Sequence, residues 1–492
     1  MAFSQNKYPY LKLHYFILFV FAFVYCDVSF INHYNYRTYA LDLGLYNNAI
    51  YSYSHFQINR YPLLRELFPN MLGDHFELIP IIVSPLYWIF GSYTMLVVQI
   101  AVILFGGYGI YKYFLFKTNN DLFSSLAMFH FFSIWGIISA LSFDFHCNVI
   151  AAMLVPWFLY YFEKNKIKKT ILFFCLILIC KENMAMWMIF VCIGAALLNF
   201  KNKTKFKYAL IFALCSAVYF VVVIKLVMPL LNGNVGGDYY HFKYSALGEN
   251  GGEAIKTIFT RPLYVFKLLY TSQFPDQTGN LKIKEELFWI FFMSGGIFVF
   301  FKPQYLIMLL PIFGQKLFSD DFGKWGISSQ YSIEFVPILT LCAFNVISHL
   351  KIKPVLIMVA SALTLVTMWA HYKKLKHREA PWFPSENANI FDADHYRCRV
   401  KRKSLAEAIN KIPDDAKVTA CSPAVPHLCN RKYIFKLPDY DFAEYILLVD
   451  EMGFCYPQWP DDIKSKITEL LSLPNWNCEY KKNGVYLFKK KY

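Results

Sequence analysis

The chain has 492 residues, of which 57% are hydrophobic and 17% charged, with a mean hydropathy of +0.34. Soluble domains carry about 25% charged residues, so a wholly water-soluble fold is excluded and lipid is the required solvent. The net charge of +15 is spread over short loops between apolar runs and not gathered on one face, which excludes nucleic acid as a partner and points to membrane topology.

Apolar runs of roughly 16 to 25 residues read as spans, because a hydrocarbon core about 30 Å thick is crossed at about 1.5 Å per residue. The first, residues 11–31, lacks a small-x-small cleavage site and is expected to be a retained span. Residues 77–91 (ELIPIIVSPLYWIFG) are apolar but short and carry Pro80 and Pro85, so this segment is expected along the outer interface. Further spans are expected at 94–115, 122–142, 147–162, 207–231, 286–301, 303–318, 331–349 and 354–371. The run 170–200 is interrupted by Lys181 and Glu182 and splits into a short pair with the charges at the turn.

With 77–91 left out, Lys7, Lys12, Lys112, Lys117, Lys164 to Lys169, Lys201 to Lys207, Lys302, Lys351 and Lys353 share one side. The positive-inside rule makes that side cytoplasmic. The prediction is an all-α polytopic protein of the cell (inner) membrane with about eleven spans and a cytoplasmic N-terminus. A first outer loop covers 32–93 and a large outer loop 232–285, within a membrane domain of residues 1–371.

Residues 372–492 change character. A helix (SLAEAINKI), strands in AKVTA, YIFKL and YILLVD, a second helix (DIKSKITELLSL) and a hairpin turned at Asn483-Gly484 predict a small α/β domain on the outer side. Six of the twelve cysteines lie in apolar runs and the rest form no CxxC pair, which argues against a zinc ribbon.

Ionisable groups at span ends are the candidates for chemistry, since charge near the membrane is costly. Asp42, in ALDLGLYNNAI, reads either as a reactive carboxylate or as a helix cap or first-turn acid. Asp74, His75 and Glu77, in GDHFELIP, are suited to acid–base work or a divalent metal, with Asp74 and His75 the candidate ligands; a hydrogen-bonding histidine is the plainer alternative. Asp144 and His146, in FDFH, sit in a loop of a few residues, where a cap on the next helix is also adequate. Lys181 and Glu182, in CKEN, read as a phosphate-binding lysine with its neighbour or as a mutual ion pair. Gln330, Tyr331 and Glu334 open a late span as a weaker set. No P-loop, GxSxG, HExxH or dinucleotide fingerprint occurs, so cytosolic nucleotide chemistry has no support.

The stretches LDLGLYNNAIYS, GDHFELIPIIVSPLYWIFG, LSFDFHCNVIAAMLVPW, ICKEN, QYSIEFVP, INKIPDDAKVTACSPAVPHLCNRKYIF and AEYILLVD resemble a family of bacterial and archaeal membrane proteins known as a domain of unknown function. That family is similar to the GT-C glycosyltransferases, such as the protein O-mannosyltransferases and lipid A aminoarabinose transferases. QYS departs from the HYS expected of relatives.

The resemblance implies an enzyme that takes a sugar from a polyprenyl-phosphate carrier to an acceptor on the extracytoplasmic face. By position, Asp42 and Asp144 would be the catalytic acids. His75, Glu77, His146, Lys181, Glu182 and Tyr331 would bind substrate among the membrane lipids, with a divalent metal a candidate cofactor. A lipid or polysaccharide transporter (flippase) is an alternative, although no internal repeat is visible. A non-catalytic scaffold with an external binding domain is another.

Overall fold

The computed structural model describes residues 13–233, 239–381, 383–450 and 453–491. Lys7, Lys12 and the start of the expected first span lie outside them. The described chain is mainly helical. Its first long helix, Leu13–Tyr34, turns Phe19 and Phe23 outward with 72% and 70% of their surface exposed, as lipid-facing side chains require.

Helices Thr94–Thr118 and Asp121–Ser133 pack on it and on each other, and Cys147–Glu163 packs on Thr94–Thr118. Glu182–Leu198 packs on Lys203–Val222 and on Pro303–Leu317. Phe335–Ile347 runs through the middle almost wholly buried, and Lys353–Lys376 closes the bundle beside Asp121–Ser133.

Among the described residues, five helices are long and apolar enough to cross a membrane, or six if Asp121–Ser133 and Trp135–Leu141, bent by 47° at Ile134, count as one. Ile134 is extended there (φ −71°, ψ 133°), which breaks the ladder without a proline. Other expected spans appear as shorter or broken helices. Residues 170–200 do form a pair, Ile167–Leu178 and Glu182–Leu198, interrupted at 179–181. The segment 79–93 is a series of short helical turns ending before Thr94, with Gly91 at φ +53°.

The C-terminal segment folds on a five-stranded sheet: β1 (Val418–Ala420), β2 (Ile434–Lys436), β3 (Tyr445–Val449), β4 (Trp476–Lys482) and β5 (Val485–Lys490), in the order β2-β1-β3-β5-β4. β1 pairs in parallel with β2 and β3, and β5 runs antiparallel to β3 and β4. The β3 strand is buried along its whole length, while β4 alternates, as central and edge strands should. Asn483 at φ +51° and Gly484 at φ +75° turn the hairpin.

The sheet seats on the segment after the first helix. Arg65 makes a bidentate pair with Asp439 at 3.0 and 2.9 Å and lies over the rings of Phe435 and Phe442. Asn48 donates to the Arg431 carbonyl at 3.0 Å, and Ser422 accepts the Ala40 N–H at 2.9 Å. A Cβ on Gly44 would come within 3.0 Å of Val425 Cγ1, so a glycine allows the close approach.

Candidate active site

Residues Ala40–Gly44 wind one π-helical turn that leads into helix Leu45–Ser54. The start of such a turn leaves backbone N–H groups without helical partners. Asp144 Oδ2 accepts two N–H groups here, from Tyr39 at 2.7 Å and Leu43 at 3.2 Å. Asp144 therefore caps a turn about a hundred residues away and not the helix that follows it in sequence.

The loop that presents Asp144 is itself clamped. Gln99, buried on Thr94–Thr118, donates from Nε2 to the Asp144 carbonyl at 2.9 Å and accepts the His146 N–H at 3.0 Å. Asp144 sits at φ +56°, a left-handed conformation that aspartate tolerates better than most residues.

This framework carries Asp42 to His146, with Nε2 3.0 Å from Asp42 Oδ1. The two acids are not equivalent. The Asp42 side chain keeps 18% of its surface, whereas Asp144 is 2% exposed. Burial, together with the Asp42 charge, pushes the Asp144 carboxyl well above the usual carboxylate range, against the pull of its two N–H donors. Asp42 is thus the carboxylate that can meet a ligand, and Asp144 holds its turn in place.

A second cluster is built from GDHFE and CKEN. Lys181 Nζ lies 3.3 Å from Glu77 Oε1, and the Tyr46 hydroxyl donates to Glu77 Oε2 at 2.7 Å. Glu182 instead accepts from His75 Nδ1 at 2.9 Å, from the Phe76 N–H at 3.0 Å and from the Tyr239 hydroxyl at 2.6 Å. The mutual Lys181–Glu182 pair considered from sequence is therefore absent. Lys181 is extended (φ −165°, ψ 145°) just before the helix that Glu182 begins, and neighbouring side chains on extended backbone point apart.

His241, from the loop after residue 232, completes this cluster. It lies 2.8 Å from Asp74 Oδ1, stacks on His75 with ring centroids 4.0 Å apart, and Tyr61 donates to Asp74 Oδ2 at 2.7 Å. Among the described residues, Asp74, His75 and His241 offer ligand atoms that all lie within 4.8 Å of one another. One carboxylate and two imidazoles suit zinc or another borderline divalent ion. The Glu182 bond to His75 Nδ1 leaves Nε2 for such an ion, the arrangement by which a carboxylate orients a metal-binding histidine.

Glu334 accepts from Asn148 at 3.0 Å, and Lys324 Nζ sits 4.9 Å over the Tyr331 ring. Burial pushes the Lys324 ammonium down, Asp321 raises it, and Lys181 lowers it further. Sequence reasoning missed His241, Tyr239, Lys324 and Gln99.

The sequence matches the family described as predicted membrane protein (DUF2079) over residues 32–487. The chain belongs to this family. No curated protein matches it. Among solved structures, this DUF2079 chain is similar to ArnT from Cupriavidus metallidurans bound to undecaprenyl phosphate, with 9% identity, TM-score 0.54 and 98% of each chain covered. It is also similar to the Archaeoglobus fulgidus oligosaccharyltransferase tethered to an acceptor peptide, with 10% identity, TM-score 0.44, and 98% of this chain and 74% of that one covered. The mainly helical fold is shared with ArnT.

Proposed function

We propose that this protein is a GT-C-type membrane glycosyltransferase that moves a sugar from a polyprenyl-phosphate donor to an acceptor. The reaction takes place at the end of the bundle that carries the C-terminal sheet, which the loop charges make extracytoplasmic. The observation that carries this reading is the Asp42–His146 pair, a partly exposed carboxylate on a turn that Asp144 anchors. The fold shared with an undecaprenyl-phosphate-bound transferase supports the donor class. About eleven spans, a membrane domain of 1–371 and an outer domain of 372–492 belong to the same reading.

In this reading Asp42, oriented by His146, takes the proton of the acceptor hydroxyl as its oxygen bonds to the anomeric carbon. The bond from that carbon to the phosphate oxygen breaks, and polyprenyl phosphate leaves with the electron pair. The Lys181 charge lowers the Lys324 ammonium, and together the two would stabilise the departing phosphate. Asp74, His75 and His241 would hold a divalent ion, which when bound adds positive charge at that phosphate.

The test is a deletion strain complemented with the parental gene or with Asp42→Asn, followed by mass spectrometry of lipid-linked sugars and envelope glycans. Loss of one glycan with build-up of its lipid-linked sugar is expected in the deletion and in the variant. Identical profiles in all strains would refute the proposal.

A further inference from the structure

A cavity of about 230 Å³ lies beside the loop that carries Asp144, between the end of helix Lys353–Lys376 and the chain that leads to the sheet. At about 30 Å³ per water, it has room for a phosphate group and part of what it esterifies. Lys376, His377 and Arg378 line it consecutively, and none of its described lining residues is acidic; Ser142 and Ser328 also line it, with their hydroxyls donating to the Ser139 and Ala380 carbonyls at 3.0 Å.

The cations are not accounted for by the fold alone. A helix C-terminus favours positive charge, but Arg378 lies beyond the helix and its cap, His377. Lys374 is already committed to Glu286 at 2.8 Å, and Lys373 lies 5.8 Å from the Trp369 ring centre. Arg378 has two partners among the described residues, both neutral and both at 3.3 Å: Ser139 Oγ and the Lys374 carbonyl. The carboxylate that acts on it, Glu286, also accepts the Glu379 N–H. Burial pushes the Arg378 guanidinium down to about 10, with Glu286 only partly opposing it. A guanidinium has five N–H donors, so most of this fork is left for a ligand.

In the proposed orientation these charges also sit on the outer side, where the positive-inside rule disfavours them. We infer that this cavity is an anion site that binds a phosphate-type oxyanion through Arg378 and Lys376. None of its described lining residues belongs to the Asp74–His75–His241 cluster, and Lys181 is not among them. Phe383, which also lines it, packs at a tilt on Phe143 with ring centroids 4.2 Å apart and stacks on Tyr39 at 5.7 Å. An occupant would therefore rest against the segment that fixes Asp144. The phosphate can belong to an anionic lipid headgroup at the membrane boundary or to a soluble molecule.

The full-length protein, purified free of lipid in detergent, would be titrated with inorganic phosphate and followed calorimetrically. In parallel, phosphatidylcholine nanodiscs with and without phosphatidylglycerol would be analysed by native mass spectrometry for retained lipid. Saturable binding of phosphate identifies a soluble source, and selective retention of phosphatidylglycerol identifies a headgroup.

In either arm, Lys376→Gln with Arg378→Gln is expected to weaken binding about 10-fold or more, while Lys373→Gln leaves it unchanged. Ser385→Asp supplies an independent variant. This exposed lining residue starts a short 3-10 turn, where an acid is tolerated, yet its charge would repel an anion. It should weaken binding as much as the double substitution does, even if that variant fails to fold. Absence of saturable binding by both probes, or parental binding by Ser385→Asp, would overturn the inference.

Discussion

Asp144 Oδ2 accepts the Tyr39 N–H at 2.7 Å, and this contact fixes the turn that points Asp42 at His146. The two acids should therefore fail differently. Asp42→Asn is expected to keep the parental melting temperature and lose about 10² to 10⁴ of transfer rate, the usual weight of a general base. Asp144→Ala strands two N–H groups and should cost about 1 to 3 kcal/mol of stability, whereas Asp144→Asn keeps an acceptor and should retain most activity. A well-folded Asp144→Asn protein as inactive as Asp42→Asn would make Asp144 a catalytic acid in its own right.

The raised Asp144 carboxyl has a consequence for stability against pH. Its pKa in the folded protein lies above the unfolded value of 3.8, so the folded state holds a proton that the unfolded state releases. Stability from this group is greatest below pH of about 4 and declines as pH rises toward the folded pKa. Asp144→Asn mimics the protonated acid without titrating. Parental protein should therefore lose melting temperature relative to Asp144→Asn as pH increases from about 4 to 7; a constant difference would show that Asp144 stays ionised.

For the divalent ion, elemental analysis of protein purified without chelator should find about one equivalent per chain, lost on His241→Ala. Glu182→Gln removes the group that orients His75 and should weaken metal retention by about 10- to 100-fold. If His241→Ala retains the parental metal content, the cluster is a hydrogen-bonded His–Asp–His set only.

Much of this was visible in the sequence, for reasons that can be traced to particular residues. Apolar runs marked the helices because lipid-facing side chains such as Phe19 and Phe23 leave a one-dimensional signal. The charges at Lys181 and Glu182 marked a real break, and Asn483-Gly484 a real hairpin. Hydropathy does not register a bend, so the break at Ile134 was not legible. Pairings were the least legible. Lys181 and Glu182 are adjacent in the chain and part company in space, while Asp144 finds Tyr39 across the fold. His241 joins Asp74 from a loop with no motif to announce it.

Lys181 offers the sharpest separation of a substrate role from a structural one. Its partner Glu77 has a fully buried side chain, so Lys181→Met should leave an uncompensated charge and cost about 3 to 5 kcal/mol. The compensating change is Glu77→Gln, which stays polar enough to accept from the Tyr46 hydroxyl, 2.7 Å from Glu77 in the parental protein. Glu182→Gln should not compensate, because Glu182 is bound to His75 and Tyr239 and its own loss adds damage. Melting temperature in detergent would be read for the single substitutions and both pairs. In the stable Lys181→Met, Glu77→Gln protein the ammonium is gone while the packing is kept. If Lys181 holds the leaving phosphate, transfer by this double variant should fall about 10- to 100-fold, the weight of one charge-assisted contact. Parental transfer by the same protein would leave Lys181 as the structural partner of Glu77 and shift the phosphate role to Lys324.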